Sequence, residues 1–257
     1  MQRSHRGQRG FTLIELVITI VVVGIMILGI AGFIELGTKG YADTVDRQQL
    51  QNQARFVVEK LTREVRHAVP NSFEQTDQCI SFYPIDYAGA YAVLPTSDDT
   101  IFKFVVVNAP LTGTAGSSKL SGKKLVVNPS TQDDLNTENS NSIVLSNVQP
   151  NSDDTGVFET DVDSTEFNQG TVTNSVSNRL YIYSNKVSYC LEGTRLLRND
   201  VAVADALTSD SSFASGDTNS TNSDSLSRSG LIHIKLSFKQ NDETTEYEND
   251  IQVLNVP

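Results

Sequence analysis

Apolar positions run almost unbroken from Phe11 to Ile34, interrupted by one acid, Glu15, and by Thr12 and Thr19. As a helix at ~1.5 Å per residue, 24 such positions reach about 36 Å, enough to cross a hydrocarbon core of about 30 Å. The pattern then becomes amphipathic. Leu50, Ala54, Val57, Val58, Leu61, Val65 and Ala68 recur at spacings of three and four and form one apolar helical face. Arg55, Glu59, Lys60, Arg63 and Glu64 lie on the other side at i,i+4 spacing. Pro70 stops the pattern. The spacing predicts one long helix from Phe11 to about Val69. Gly24, Gly29, Gly32, Gly37 and Gly40 weaken its first half, either to let helices pack closely in lipid or to let the helix melt locally.

From Cys79 the period shortens to that of strands. Cys79–Tyr83, Ile101–Val107, Leu125–Val127 and Ile143–Leu145 are short β-rich runs. Leu180–Ser184 and Lys186–Leu191 flank a turn at Asn185, and Glu192-Gly193-Thr194 turns into Arg195–Arg198. Ile232, Ile234, Leu236 and Phe238 alternate with polar residues, and a turn at 241–243 leads to a last strand around Ile251–Val256. The expectation is an antiparallel meander with one wet face, packed by the long helix: an α+β architecture. Segments 129–142, 150–178 and 208–229 are polar and read as surface loops.

Charge orients the molecule. Residues 1–10 hold Arg3, Arg6 and Arg9 and no acid, whereas the whole 257-residue chain carries a net charge of −11. By the positive-inside rule the N-terminus stays in the cytoplasm and the chain beyond about residue 36 is exported. The apolar run is too long for an ordinary signal-peptide core, and no Ala-x-Ala follows it. The acidic balance argues against a nucleic-acid partner. Four parts result: a basic leader at 1–10, a transmembrane helix half at 11–35, an amphipathic half at 36–70 and an exported β-rich domain at 71–257. The two cysteines, Cys79 and Cys190, lie too far apart for a CxxC motif. In an oxidising compartment they suit a structural disulfide, and two buried free thiols are the alternative.

Glu15 is the residue to explain, because an acid in hydrocarbon costs several kcal/mol. It lies near the membrane face, complements the positive end of the helix, or pairs with a cation inside the membrane. No other residue of this helix half is basic. Cutting the chain before Phe11 would create such a cation, the new α-amine, four residues upstream.

Gly10-Phe11-Thr12-Leu13-Ile14-Glu15, with its short basic leader and following apolar run, resembles the cleavage and methylation motif of type IV prepilins and type II secretion pseudopilins. The resemblance implies that prepilin peptidase cuts between Gly10 and Phe11 and methylates the Phe11 amine. It implies that Glu15 pairs with an N-terminal amine during filament assembly. It also implies a pilin fold, an inner-membrane assembly platform, and minor and major pilins as partners. Arg55–Ser72 resembles the helix end of J-type pseudopilins and PilW-type minor pilins. Cys79–Ile85 and Val187–Leu191 resemble minor pilins of mannose-sensitive haemagglutinin (MSHA) pili. The expected route runs from the inner membrane, with the domain in the periplasm, to the pilus and its tip.

Candidate chemistry beyond that motif is sparse. His5, His67 and His233 are scattered, and there is no Gly-rich phosphate loop, G-x-S-x-G or HExxH. The chain reads as non-enzymatic and without a cofactor. Asp153 and Asp154 with Asp161 and Asp163, and Asp217 with Asp224, offer oxygen ligands for a structural Ca²⁺, against the simpler reading of solvated acidic loops. Tyr181, Tyr183 and Tyr189 suit either stacking on a sugar or sheet packing.

Overall fold

This computed structural model describes residues 10–76, 78–96, 98–107, 111–136, 141–162, 175, 177–215, 231–241 and 243–252. Its elements in chain order are α1 (Leu13–Arg66), β1 (Glu74–Thr76), β2 (Cys79–Phe82), β3 (Ile85–Tyr91), β4 (Ile101–Val106), α2 (Gly113–Leu120), β5 (Lys124–Val127), a 3₁₀ turn (Gln132–Leu135), β6 (Ser142–Val144), β7 (Gln149–Pro150), β8 (Val157–Asp161), β9 (Arg179–Tyr183), β10 (Val187–Glu192), β11 (Arg195–Arg198), β12 (Val201–Ala204), β13 (Ser212–Ser215), β14 (Leu231–Gln240) and β15 (Glu243–Gln252).

α1 is a single 54-residue helix, uninterrupted through its five glycines. Its apolar first half is exposed, with Leu28 at 75% and Phe33 at 79%. Its second half buries Leu50, Ala54, Val57, Leu61 and Val65, the face that the spacing predicts. The helix ends at Arg66, short of Val69, because the chain there turns to strand-like pairing. Ala68 bridges Pro84, and the Val69 N–H donates to the Tyr83 carbonyl at 2.8 Å. Arg63 and Arg66 in the last turn suit the negative end of the dipole.

Among the described residues the β-structure forms three antiparallel sheets rather than one meander. One runs β1-β2-β10-β11-β12, the second β13-β14-β15, and the third β6-β5-β9-β3-β4-β8-β7. The helix packs on β12, β14 and β15. Its core joins the five- and three-stranded sheets through Phe82, Tyr189, Leu196, Ile234, Leu236 and Phe238. The seven-stranded sheet has a separate core of Phe102, Phe104, Leu125, Phe158, Leu180 and Ile182. A small cluster of Val69, Val126, Leu135, Tyr181 and Tyr183 lies between them. The molecule is thus an α+β fold with a long N-terminal helix on antiparallel sheets.

Several expectations need correction. The turn at Asn185 does not close a hairpin: β9 pairs with β3 and β5, and β10 pairs with β2 and β11. The chain crosses from one sheet to another at that point. The last strand starts at Glu243, because its alternating polar residues pair along the whole of β14; residues 253–256 of the expected strand lie outside the described ones. The expected loops carry structure too. Segment 129–142 contains the 3₁₀ turn, 150–178 contains β8, and 208–229 contains β13, with 216–229 outside the described residues. The β11–β12 turn uses Asn199 and Asp200 at φ 46° and 65°, the left-handed pair that a two-residue type I′ turn requires.

Candidate assembly site at the helix N-terminus

Gly10 and Phe11 are exposed at the start of the described chain, and Phe11 is 76% exposed. A Cβ added at Gly10 would meet nothing within 4 Å. Thr12 is the N-cap of α1, in extended conformation. Thr12 and Glu15 form a reciprocal capping box. The Glu15 N–H donates to Thr12 Oγ1 at 3.4 Å, and Glu15 Oε2 accepts from the Thr12 hydroxyl at 3.3 Å and the Thr12 N–H at 3.5 Å. The Glu15 carboxylate therefore folds back over the first turn, one residue from Phe11, where the helix dipole is positive. Of the three accounts of this acid, complementing the helix end is the one the geometry displays. The sequence held the signal for Thr12: Thr12-x-x-Glu15 before an apolar run is a capping-box spacing.

Among the described residues one helix, α1, is long and apolar enough to cross a membrane. Its large side chains from Phe11 to Leu36 stand exposed, so this half needs lipid or other helices around it.

Cys79 and Cys190 are joined as a disulfide, with Cα atoms 4.1 Å apart. They are register partners across the β2–β10 pair. Tyr181, Tyr183 and Tyr189 are buried, so none presents a ring face to a sugar. The Tyr183 hydroxyl donates to the Leu135 carbonyl at 2.8 Å, and burial pushes its ionisation well above the usual range for tyrosine. His67 caps α1 and lies 2.9 Å from the Arg63 carbonyl; His233 stands on the outer face of β14, 2.5 Å from Asp250. His5 lies outside the described residues.

Among the described residues no group of three or more His, Cys, Asp or Glu converges as a metal site. The Asp153 and Asp154 N–H groups donate to Asn151 Oδ1, and Asp161 Oδ2 accepts from Asn147 at 2.8 Å. Asp163, Asp217 and Asp224 lie outside the described residues.

Spacing did not reveal the polar ties between elements. Glu64 of α1 accepts from the Tyr189 hydroxyl at 2.9 Å and Arg198 Nε at 3.0 Å, and its other oxygen lies 3.0 Å from Lys60 Nζ. Burial alone would raise this carboxyl, but the bonds from Arg198, Lys60 and Tyr189 outweigh it and hold the group below its ordinary range. Arg47 grips Glu243 with two bonds of 2.8 and 3.1 Å, tying α1 to the tip of the β14–β15 hairpin. Lys123 Nζ reaches Asp86 at 2.5 Å and Ser184 at 2.7 Å, a bridge within the seven-stranded sheet.

A helix whose first half is bare and apolar and whose second half lies on antiparallel sheets is a pilin-like arrangement. Residues 5–31 match the family model described as the prokaryotic N-terminal methylation motif. The match covers about a tenth of the chain and marks it as a type IV prepilin- or pseudopilin-like protein, of the kind that prepilin peptidase processes and that has pilins as partners. No curated protein matches the chain, and no solved structure matches it.

Proposed function

We propose that the chain is a minor type IV pilin of the MSHA kind, similar to the minor pilin MshO, and that it acts in assembly and not in catalysis. Prepilin peptidase cuts between Gly10 and Phe11 and methylates the new amine, and α1 holds the protein in the inner membrane with the leader side in the cytoplasm and the domain in the periplasm. The subunit then joins other minor and major pilins at or near the filament tip, primes assembly and supports adhesion. The Glu15 carboxylate carries this reading. It is the one acid in the apolar half of α1 up to Ile34, and it is folded toward the residue that becomes the N-terminus. The Phe11 ammonium that cleavage would release emerges beside that carboxylate, or meets the Glu15 of a neighbouring subunit. Either pairing lowers the cost of holding the acid in lipid.

Glu15→Ala tests the pairing. The variant should be cleaved normally and should fail to enter filaments. Filament entry at the wild-type level would remove the ammonium–carboxylate role.

A J-type pseudopilin of a type II secretion system is the second reading, because the Arg55–Ser72 stretch resembles J-type pseudopilins as well as PilW-type minor pilins. Genes for a haemagglutinin-type pilus beside this one would favour the first, and genes for a secretin-based exporter the second.

A further inference from the structure

The chain leaves the five-stranded sheet at Phe82 and re-enters it at Val187, and these two residues are register partners. β2 and β10 are therefore the two arms of a hairpin whose loop is residues 83–186. A hairpin closes with as few as two residues. This one carries a seven-stranded sheet with its own core, built on Phe102, Phe104, Phe158, Leu125 and Leu180, none of which belongs to the core around α1. Among the described residues, Val69 is the only buried side chain from outside the loop in the small cluster between the two cores. The Cys79–Cys190 disulfide joins the hairpin arms at the other end of their pairing, three residues below its mouth.

We infer that residues 83–186 are an independently folding module grafted into the β2–β10 hairpin, and that the disulfide insulates the α1 scaffold from the module's unfolding. The inference does not depend on the filament role. When the module unfolds, the short β2–β10 pairing must hold shut a loop of about a hundred residues, and the entropy of that closure rises with the logarithm of loop length. The disulfide makes the closure covalent, so the pairing no longer bears that cost. Phe82 and Tyr189, which line the helix core from these two strands, then stay in place.

Hydrogen exchange of the full-length chain in detergent micelles, across a denaturant series, tests both parts. In the oxidised wild type, amides of β3, β4, β5 and β9 should lose protection at a lower denaturant concentration than those of α1 residues 50–65 and β14. A single shared midpoint, or a module that outlasts the scaffold, overturns the inference. In Cys79→Ala/Cys190→Ala, amides of β2 and β10 should lose protection together with the module. If they keep the wild-type midpoint, the disulfide is not the insulator. Should that variant fail to fold, replacing residues 83–186 of the full chain with Asn-Gly is decisive. The Cys79–Cys190 bond should still form and residues 50–65 of α1 should stay protected; loss of either result overturns the graft.

Discussion

Tyr189 on β10 donates its hydroxyl hydrogen to Glu64 on α1 at 2.9 Å, and Arg198 on β11 reaches the same oxygen at 3.0 Å. One helical carboxylate thus ties α1 to two neighbouring strands. Hydrogen bonds to a charged group contribute about 1.5–3 kcal/mol where they are shielded from water, and less at this half-buried position. Glu64→Ala should lower thermal stability by roughly 1–2 kcal/mol. An unchanged melting temperature would show that the tie contributes nothing.

The same carboxylate predicts a pH dependence. Its folded pKa lies below the ordinary value because Arg198, Lys60 and Tyr189 overcome the opposing effect of burial. The stabilisation is therefore fully present above the unfolded value and is lost as pH falls through the folded one. Melting curves taken from about pH 6 down to about pH 3 should show a steeper loss for the wild type than for Glu64→Gln. Parallel losses would contradict the assignment.

The two faces of α1 should respond differently to truncation. Leu61 is fully buried in the core that joins the helix to both scaffold sheets, whereas Phe56 stands 59% exposed on the opposite side. Leu61→Ala should cost about 2–5 kcal/mol in chemical denaturation, and Phe56→Ala well under about 1 kcal/mol. Equal losses would place the helix face wrongly.

Gly89 sits where β3, β4 and β9 meet. A Cβ there would lie 2.3 Å from the Val105 carbonyl oxygen and 2.8 Å from Leu180 Cδ1. The first obstacle is backbone, so the strand itself must shift. Gly89→Ala should destabilise the seven-stranded sheet by about 1–3 kcal/mol, read from exchange of β3 and β4 amides. Normal protection there would contradict the packing.

Gly10 can be tested apart from folding. It is exposed, and a Cβ there would meet none of the described residues, so Gly10→Val should leave the melting temperature of the folded domain unchanged. If residue 10 must fit a protease cleft closely, the variant should accumulate with its leader attached. Cleavage at the wild-type rate would remove that requirement.

The long helix was legible in the sequence because its signals are local: a continuous apolar run, then Leu50, Ala54, Val57, Leu61 and Val65 at helical spacing. So were β4, β5, β10 and β11, whose apolar runs are bounded by turn residues. β15 was only partly legible, because Thr244, Glu246, Glu248 and Asp250 face water and Glu243 faces the helix through an ion pair. β8 was hidden in a polar stretch, and α2, with two glycines and two serines in eight residues, shows no clear stripe. Strand partnership was legible where a tight turn joins neighbours, as in β10–β11 and β14–β15, and not elsewhere. β9 and β10 are adjacent in sequence yet belong to different sheets, and one of the two partners of β10 is β2, about a hundred residues earlier. Such pairing is decided by long-range packing rather than by local pattern. At the candidate site the motif residues were visible, and the Thr12–Glu15 reciprocity was present in the spacing although only the geometry brought it out.

The proposed role in assembly requires a cut that turns Phe11 into the N-terminus beside Glu15. Intact-mass and N-terminal analysis of the chain recovered from filaments tests that most directly. The expected result is a chain that starts at Phe11 with one methyl group on its amine. A filament-borne chain that still starts at Met1 would contradict it.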